Sequence, residues 1–203
     1  LASLIDPASA VPAALPTAEH FAARLSALGV PTGARLVLYD DSYVKTAARA
    51  WFIARLHGAE AAILDGGLGK WRAEGRPLEA GEASVAATAY TCARGTGAVR
   101  SKAEVLANLA THAEQLVDAR GAKRFTGEDK DFRPEVADGH IPGSRNLPFD
   151  QLFNADGTYQ NPAGLAAAFA AAGVDLARPL VTTCGVVGGD GATGAGAVGR
   201  RSD

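Results

Sequence analysis

Apolar residues in this chain follow two spacings, one typical of helices and one typical of buried strands. Phe21, Leu25 and Leu28 are separated by four and three positions, which predicts an amphipathic helix. Gly29 follows as a stop signal. The run 35–40 is short and apolar, as in a strand buried on both faces of a parallel sheet. The alternation continues with a helix predicted at 46–57, a strand at 61–65 and a helix at 68–73.

The same alternation begins again after residue 100. Ser101 with Glu104 forms the sequence signature of a capping box, which predicts a helix through residue 109. Further on we expect a strand at 115–118, a turn at 139–143, a helix at 162–172 and a strand at 179–183. The stretch between the two series consists of small and polar residues and is predicted to be a linker. The sequence therefore predicts an α/β protein with domains at 1–80 and 99–203 and a linker at 81–98.

The two series resemble one unit used twice. A shift of 144 positions places residues 21–40 on residues 165–184, with Gly29 on Gly173 and Leu36 on Leu180. This agreement predicts an internal duplication. Two full repeats are longer than 203 residues, so we expect the front of the first domain and the back of the second to be absent. The same register places Asp40 opposite Cys184.

Composition and charge narrow the function. The chain is 47% hydrophobic and 21% charged, which is ordinary for a globular protein. Its formal net charge of −2 offers no positive field for a polyanion, so nucleic acid is not an expected partner. No apolar run is long enough to span a membrane and no basic leader precedes one, so we expect a cytoplasmic protein without membrane contact. The two cysteines, Cys92 and Cys184, are interpreted as thiols.

Cys184 lies at a predicted strand end, in the sequence Thr-Thr-Cys-Gly at 182–185. Ligands of open parallel sheets bind beyond the carboxyl ends of the strands. Backbone N–H groups of a turn there can stabilise a thiolate, which is a nucleophile for sulfur. The alternative is a buried cysteine that only fills a strand end, because cysteine is among the most buried residue types. No such context surrounds Cys92.

Several motifs together resemble the tandem-domain rhodanese-type sulfurtransferases over about residues 15–184. They are Val-Asp-Ala-Arg at 117–120, Gly-His-Ile-Pro-Gly-Ser-Arg-Asn-Leu-Pro-Phe at 139–149, Thr-Thr-Cys-Gly at 182–185 and Leu-Asp-Gly-Gly-Leu-Gly-Lys-Trp at 64–71. The resemblance implies two rhodanese-like α/β domains with parallel sheets flanked by helices, both incomplete here. It also implies that the first domain lacks the nucleophile and the second carries it.

The resemblance implies a specific chemistry. Cys184 takes a sulfane sulfur from a small-molecule donor, 3-mercaptopyruvate or thiosulfate, and passes it from a persulfide to a thiol or cyanide acceptor. Arg124 and Arg133 match the family's anion-binding arginines and Gly185 its loop glycine, and a guanidinium suits a planar carboxylate. Without the motif, solvated surface arginines are the alternative. His140 is interpreted as a structural hydrogen-bonding residue. No metal or organic cofactor is implied.

The sequence departs from the family after the cysteine. Val186 replaces the loop serine, and the glycine-rich run 188–199 is a poor helix former. One hypothesis is that a frame shift after Gly185 replaced the native end. The rival function is a catalytically inactive rhodanese remnant or binding module. A dinucleotide site is disfavoured because no strand or ribose-binding acid follows the glycines, and a phosphatase because Asp190 stands where its arginine would be.

Overall fold

The computed structural model describes residues 4–9, 13–81, 83–95, 98–130, 137–184 and 195–197. The chain divides into two compact units. The first comprises Leu1–Ala8, Leu15–Gly97 and Ala155–Tyr159, and the second comprises Ser9–Ala14, Ala98–Asn154 and Gln160–Asp203. Both units contain parallel strands and flanking helices, which confirms the predicted α/β class.

The first unit is built on two parallel strands. Its elements are α1 (Ala18–Ala27), β1 (Leu36–Leu38), α2 (Thr46–Leu56), β2 (Ala61–Ile63) and α3 (Gly67–Ala73). The predicted helix and its stop at Gly29 are confirmed, and Thr17 caps its start. The Thr17 hydroxyl accepts from the His20 N–H at 3.2 Å, and Gly29 has a φ of +72°, a left-handed conformation that suits glycine.

The core of the first unit forms around Phe21 and Ile53, which are 1% and 0% exposed. Full burial of such a side chain contributes about 1.5–3 kcal/mol. Tyr90 belongs to the stretch predicted as a linker, yet it is buried in this cluster and meets Phe21 edge-on. The described residues of 83–95 form no helix or strand, and they pack on the first unit through side chains such as Tyr90.

The second unit holds a five-stranded sheet. Its elements are β3 (Ala98–Arg100), α4 (Lys102–Thr111), β4 (Gln115–Asp118), α5 (Ala122–Thr126), β5 (Arg145–Asn146), a 3-10 turn (Phe149–Leu152), α6 (Pro162–Ala171), β6 (Leu180–Thr183) and β7 (Ala195–Ala197). The strand order is β3-β7-β6-β4-β5. The two predicted strands, β4 and β6, are parallel neighbours, as expected, and β5 adds a further parallel strand beside β4. β7, in contrast, pairs antiparallel with both β6 and β3. The predicted capping box is present at the start of α4.

Both faces of the parallel strands are buried, as their apolar sequences predict. Successive side chains of a strand point to opposite faces. Leu116 and Val181 pack on one face with Val105 of α4. Val117 and Leu180 pack on the other face with Leu147, Val174 and partly buried residues of α6. The sheet is therefore the middle layer of this unit and fixes where its strands end.

The shift of 144 positions can be compared with the observed elements. It carries α1 onto α6 residue for residue, and the first residue of β1 onto the first residue of β6. Gly29 and Gly173, which correspond in this register, have φ values of +72° and +71°. The helix, the glycine turn and the following strand therefore recur with the same spacing in both units.

Candidate functional site

The loops after β4 and β6 both leave the second unit's sheet at the carboxyl end of its parallel strands. These strands are parallel neighbours whose last residues, Asp118 and Thr183, are paired. The pairing extends one residue further, since the Ala119 N–H donates to the Thr183 carbonyl at 2.8 Å. Cys184 comes next and is exposed. The structure thus places this thiol at a carboxyl strand end, as predicted, and the alternative of a buried cysteine is wrong.

A buried ion pair holds the neighbouring loop after β4. Asp118 is 1% exposed, and both of its carboxylate oxygens accept from the Arg120 guanidinium at 2.7–3.0 Å. Arg120 also donates to the Gly139 carbonyl at 2.6 Å. The Asn146 amide donates to the carbonyls of Asp118 and Arg120 at 3.0 and 2.8 Å. These bonds connect the end of β4, the 139–143 turn and β5 into one network.

The short helix α5 follows this network and carries Lys123 and Arg124. It has five residues and no side-chain cap at Gly121. The His140 ring is stacked on Phe125, with 3.7 Å between ring centroids and 9° between planes. His140 Nδ1 lies 2.7 Å from the Phe125 carbonyl oxygen, and because that oxygen can only accept, Nδ1 is the donor. His140 is therefore a hydrogen-bonding residue, as predicted, and it holds α5.

The cationic residues predicted to bind the donor fall partly within the described chain. Arg124 is half-buried on α5, which begins four residues after β4 ends, while Lys123 beside it is exposed. The loops of Arg124 and Cys184 thus leave the same edge of the sheet. Arg133 and Gly185, the other two predicted binding residues, lie outside the described residues.

Asp40 occupies the corresponding strand end in the first unit. Its Oδ2 accepts from the Ser42 and Thr46 hydroxyls at 2.7 and 2.6 Å and from the Ala47 N–H at 3.0 Å. Lys45, at the N-cap position of α2, makes no side-chain capping bond. Asp40 therefore takes over the capping of α2 from the preceding strand end, where the helix dipole favours a negative charge.

The environment of Asp40 favours its ionised form. Burial alone raises the pKa of this carboxyl, but the hydrogen bonds from Thr46, Ser42 and the backbone of Ala47 outweigh burial and hold the pKa below its ordinary value. Sequence reasoning placed Asp40 opposite the thiol but missed Ser42 and Thr46. The signal was available, because serine and threonine close to a helix start commonly satisfy its first N–H groups.

The second thiol, Cys92, has a different environment from Cys184. Its Sγ donates to the Ala18 carbonyl at 3.3 Å, and the residue is half-buried in the first unit. Burial, together with the nearby charge of Glu19, raises the pKa of this thiol. A raised pKa lowers the thiolate fraction and so the reactivity. Cys92 is therefore a natural control for chemistry at Cys184.

Two further searches concern metal ions and membranes. Across the described ranges, no three His, Cys, Asp or Glu side chains come together as a metal site requires. In that same part of the chain, no helix combines the length and apolar character needed to cross a bilayer.

Known proteins share this sequence and fold. The sequence family called the rhodanese-like domain matches residues 101–198. The 3-mercaptopyruvate sulfurtransferase of Rattus norvegicus is 34% identical over 174 residues, which cover 84% of this chain and 59% of that protein. The thiosulfate sulfurtransferase of Cricetulus griseus is 31% identical over 176 residues, again covering 84% and 59%.

A solved structure agrees with these relatives. The crystal structure of SseA from Escherichia coli, described as having the rhodanese fold of 3-mercaptopyruvate sulfotransferases, matches with a TM-score of 0.80 and 33% identity. The match covers 90% of this chain and 68% of that one. Of the two sulfurtransferases from Rattus norvegicus and Cricetulus griseus, the chain spans about three fifths of the length.

Proposed function

Because the chain belongs to the family of rhodanese-like domain proteins, as its motifs predicted, we propose that it is part of a sulfurtransferase whose nucleophile is Cys184. The observation that carries this proposal is an exposed thiol at the carboxyl end of β6, beside the loop that leads into the cationic helix α5. A thiolate needs such access to reach a donor, and positive charge nearby favours both the thiolate and an anionic donor.

The proposed reaction has two steps. The Cys184 thiolate attacks the sulfur of the donor and forms a sulfur–sulfur bond. With 3-mercaptopyruvate, the carbon–sulfur bond breaks and the leaving enolate of pyruvate takes a proton; with thiosulfate, the sulfur–sulfur bond breaks and sulfite leaves with the electron pair. In the second step, an acceptor thiolate or cyanide attacks the outer sulfur of the persulfide, and the Cys184 thiolate is restored.

Donor binding is assigned to arginine. We propose that Arg124, and Arg133 outside the described residues, hold the donor's carboxylate or sulfonate end, with the loop glycine Gly185 beside the sulfur. The half-buried position of Arg124 supports this assignment, because a partly desolvated guanidinium donates stronger paired hydrogen bonds than an exposed ammonium. The planar carboxylate of 3-mercaptopyruvate fits this geometry best and is the donor we propose.

The two units have different proposed roles. We propose that the domain at 1–80, with the linker at 81–98, is a non-catalytic copy of the domain at 99–203. The shared spacing of helix, glycine turn and strand supports a duplication. In the first domain the position of the thiol is taken by Asp40, whose carboxylate caps α2, and this supports the loss of a nucleophile.

Persulfide formation tests the nucleophile. Purified chain is incubated with 3-mercaptopyruvate or thiosulfate, and the addition of one sulfur atom is followed by mass spectrometry. We expect uptake by the unchanged chain and by Cys92→Ser, and none by Cys184→Ser. A folded sample that takes up no sulfur from either donor would overturn the proposal in favour of a non-catalytic binding module.

Donor kinetics test the role of Arg124. We expect Arg124→Gln to reduce kcat/KM for 3-mercaptopyruvate about 10- to 100-fold, mainly through a higher KM, since it removes a charge-assisted hydrogen bond in the bound donor. Lys123→Gln is the matched control: it removes the same charge from the neighbouring, exposed position and should change kcat/KM little. Equal losses in the two variants would exclude a specific role for Arg124.

A further inference from the structure

A polar pocket lies at the amino-terminal end of the second unit's parallel strands, opposite the end that carries Cys184. It has a volume of about 120 Å³, and its lining includes Asn108, His112, Glu114, Gln115, Arg145 and Arg178. Gln115 begins β4, and Arg178 comes two residues before β6 begins. Since β4 rises about 3.3 Å per residue, this pocket lies roughly 10 Å along the sheet from the strand ends that carry Asp118 and Cys184.

The acidic and amide groups of the pocket are already engaged. Glu114 accepts two hydrogen bonds from the Arg100 guanidinium, at 2.7 and 2.8 Å. The Asn108 side chain donates to the Glu114 carbonyl and accepts from its N–H, at 2.8 and 2.9 Å. The Gln115 side chain bonds the backbone of Asp175 in the same two-sided way, at 2.8 and 2.9 Å. The negative charge is therefore neutralised and the amides are held in place.

Within the described residues, the two arginines of the pocket make few hydrogen bonds. In that part of the chain Arg178 donates one, to the His112 carbonyl at 3.1 Å. Among the ion pairs of the described residues, none involves Arg145 or Arg178. A Cβ on Gly173 would lie 2.6 Å from Arg145 Nη1, so the glycine leaves the room that this guanidinium occupies. Arg145 at the start of β5 and Arg178 just before β6 thus both line one pocket, and Glu114, the carboxylate among the described residues of its lining, is already paired.

We propose that this pocket binds a small anion through Arg145 and Arg178, either a carboxylate or a tetrahedral oxyanion such as sulfate. Guanidinium groups bind both shapes with paired hydrogen bonds, and an anion between two cations relieves their repulsion. The volume admits an ion of only a few heavy atoms. The site is separate from Cys184, and it does not depend on the proposed sulfur transfer.

Residue-resolved titration tests the site. Inorganic sulfate and sodium acetate are titrated separately into the full chain, and the backbone amide signals of Gln115 and Gly143 are followed by NMR at constant ionic strength. We expect saturable changes with at least one of the two ions. Arg145→Gln and Arg178→Gln should each weaken the affinity about tenfold, the loss of a charge-assisted hydrogen bond, and Arg178→Lys should weaken it less.

The control separates a site from general charge effects. Lys102→Gln removes one positive charge from the start of α4, in the same unit but outside the pocket lining, and should leave the affinity unchanged. Signal changes that never saturate, or an equal weakening by Lys102→Gln, would overturn the proposal. If a glutamine variant fails to fold, the affinity of Arg178→Lys, which keeps the charge, is compared with that of the unchanged chain and should be lower. Saturation by acetate alone or by sulfate alone identifies the shape of anion that the pocket accepts.

Discussion

Asp40 and Cys184 occupy the same position in two units and have opposite surroundings. Each follows a parallel strand that comes after a ten-residue helix and a left-handed glycine. Asp40 is half-buried and accepts three hydrogen bonds, one from Ser42 and two from the first two residues of α2. Cys184 is exposed at the edge of its sheet. The same strand end thus serves as a helix cap in one unit and presents a thiol in the other.

The difference teaches what decides the role of a strand end. The donors near a helix start favour any anion, whether a carboxylate from the chain itself or one that forms during a reaction. In the first unit the chain supplies that anion permanently, which stabilises the fold and leaves nothing reactive. A strand end becomes a candidate for chemistry when its side chain is a nucleophile with access to solvent, as at Cys184.

Exchanging the residue types should have the largest effect. Cys184→Asp gives the second unit the side chain of the first, and we expect sulfur uptake to fall at least about a thousandfold because the nucleophile is gone. Asp40→Asn, measured in the same persulfide assay, should keep its uptake. Substantial uptake by Cys184→Asp would mean that another group accepts the sulfur and would break the comparison.

Breaking the buried ion pair should have the next largest effect. The second unit also has a carboxylate at a strand end, Asp118, but its partner is the Arg120 guanidinium rather than hydroxyl groups. Arg120→Ala leaves this buried charge without its partner and should lower the free energy of unfolding by about 3–5 kcal/mol, measured by urea denaturation. Glu60→Ala breaks an exposed pair with Arg35 and should cost less than about 1 kcal/mol. Similar losses of unfolding free energy in Arg120→Ala and Glu60→Ala would contradict the contrast between a buried and an exposed ion pair.

Removing the cap in the first unit should have a smaller effect. Asp40→Ala leaves the donors of Ser42, Thr46 and Ala47 without their acceptor, although water can reach part of this half-buried site. We expect a loss of about 1–3 kcal/mol in the free energy of unfolding, seen as faster hydrogen exchange of the α2 amides. Asp41→Ala removes only an exposed pair with Arg72 and should change exchange little. The cap role is excluded if the two variants behave alike.

The smallest effect should appear in the pH dependence of stability. The pKa of Asp40 is lower in the folded chain than its ordinary value, so its contribution is fully present above the unfolded pKa, about 3.9. It is lost as the pH falls below that value through the folded pKa. Thermal unfolding is therefore measured from pH 6 down to roughly two pH units below the unfolded pKa. Over this range the stability of the unchanged chain should fall more steeply with acid than that of Asp40→Asn. Parallel curves would show that this carboxyl does not contribute.

Local patterns in the sequence predicted much of the fold. The spacing of Phe21 and Leu25, the capping box at Ser101 and the apolar runs before Asp40 and Cys184 each specify an element within a few residues, and each element is found where expected. The prediction that the first of these runs is buried on both faces is wrong, because Val37 of β1 is 61% exposed. The two-residue strand β5 and the five-residue helix α5 were missed, because elements that short show no period. The antiparallel pairing of β3 with β7 was missed because it joins segments distant in sequence.

The candidate site was predicted less completely than the fold. Cys184 and Arg124 were predicted from motifs, and the structure places Cys184 directly after β6 and Arg124 on α5, the helix that follows the neighbouring parallel strand β4. The stack of His140 on Phe125 joins residues fifteen positions apart, and nothing local in the sequence indicates it. The burial of Tyr90 was missed for a related reason: an isolated aromatic residue in a polar stretch does not reveal what it packs against.

The contact between His140 and Phe125 has a consequence for how such a protein can change. A helix of five residues is too short to form by itself. The orientation of α5 is therefore set by the His140 ring stacked on Phe125 and by the 139–143 turn that carries His140. Replacing either ring would re-aim the cationic side chains of α5 without altering the strand that ends at the thiol. In the proposed function, donor binding by Arg124 and sulfur uptake by Cys184 would then belong to separate parts of the chain, which mutation could alter independently.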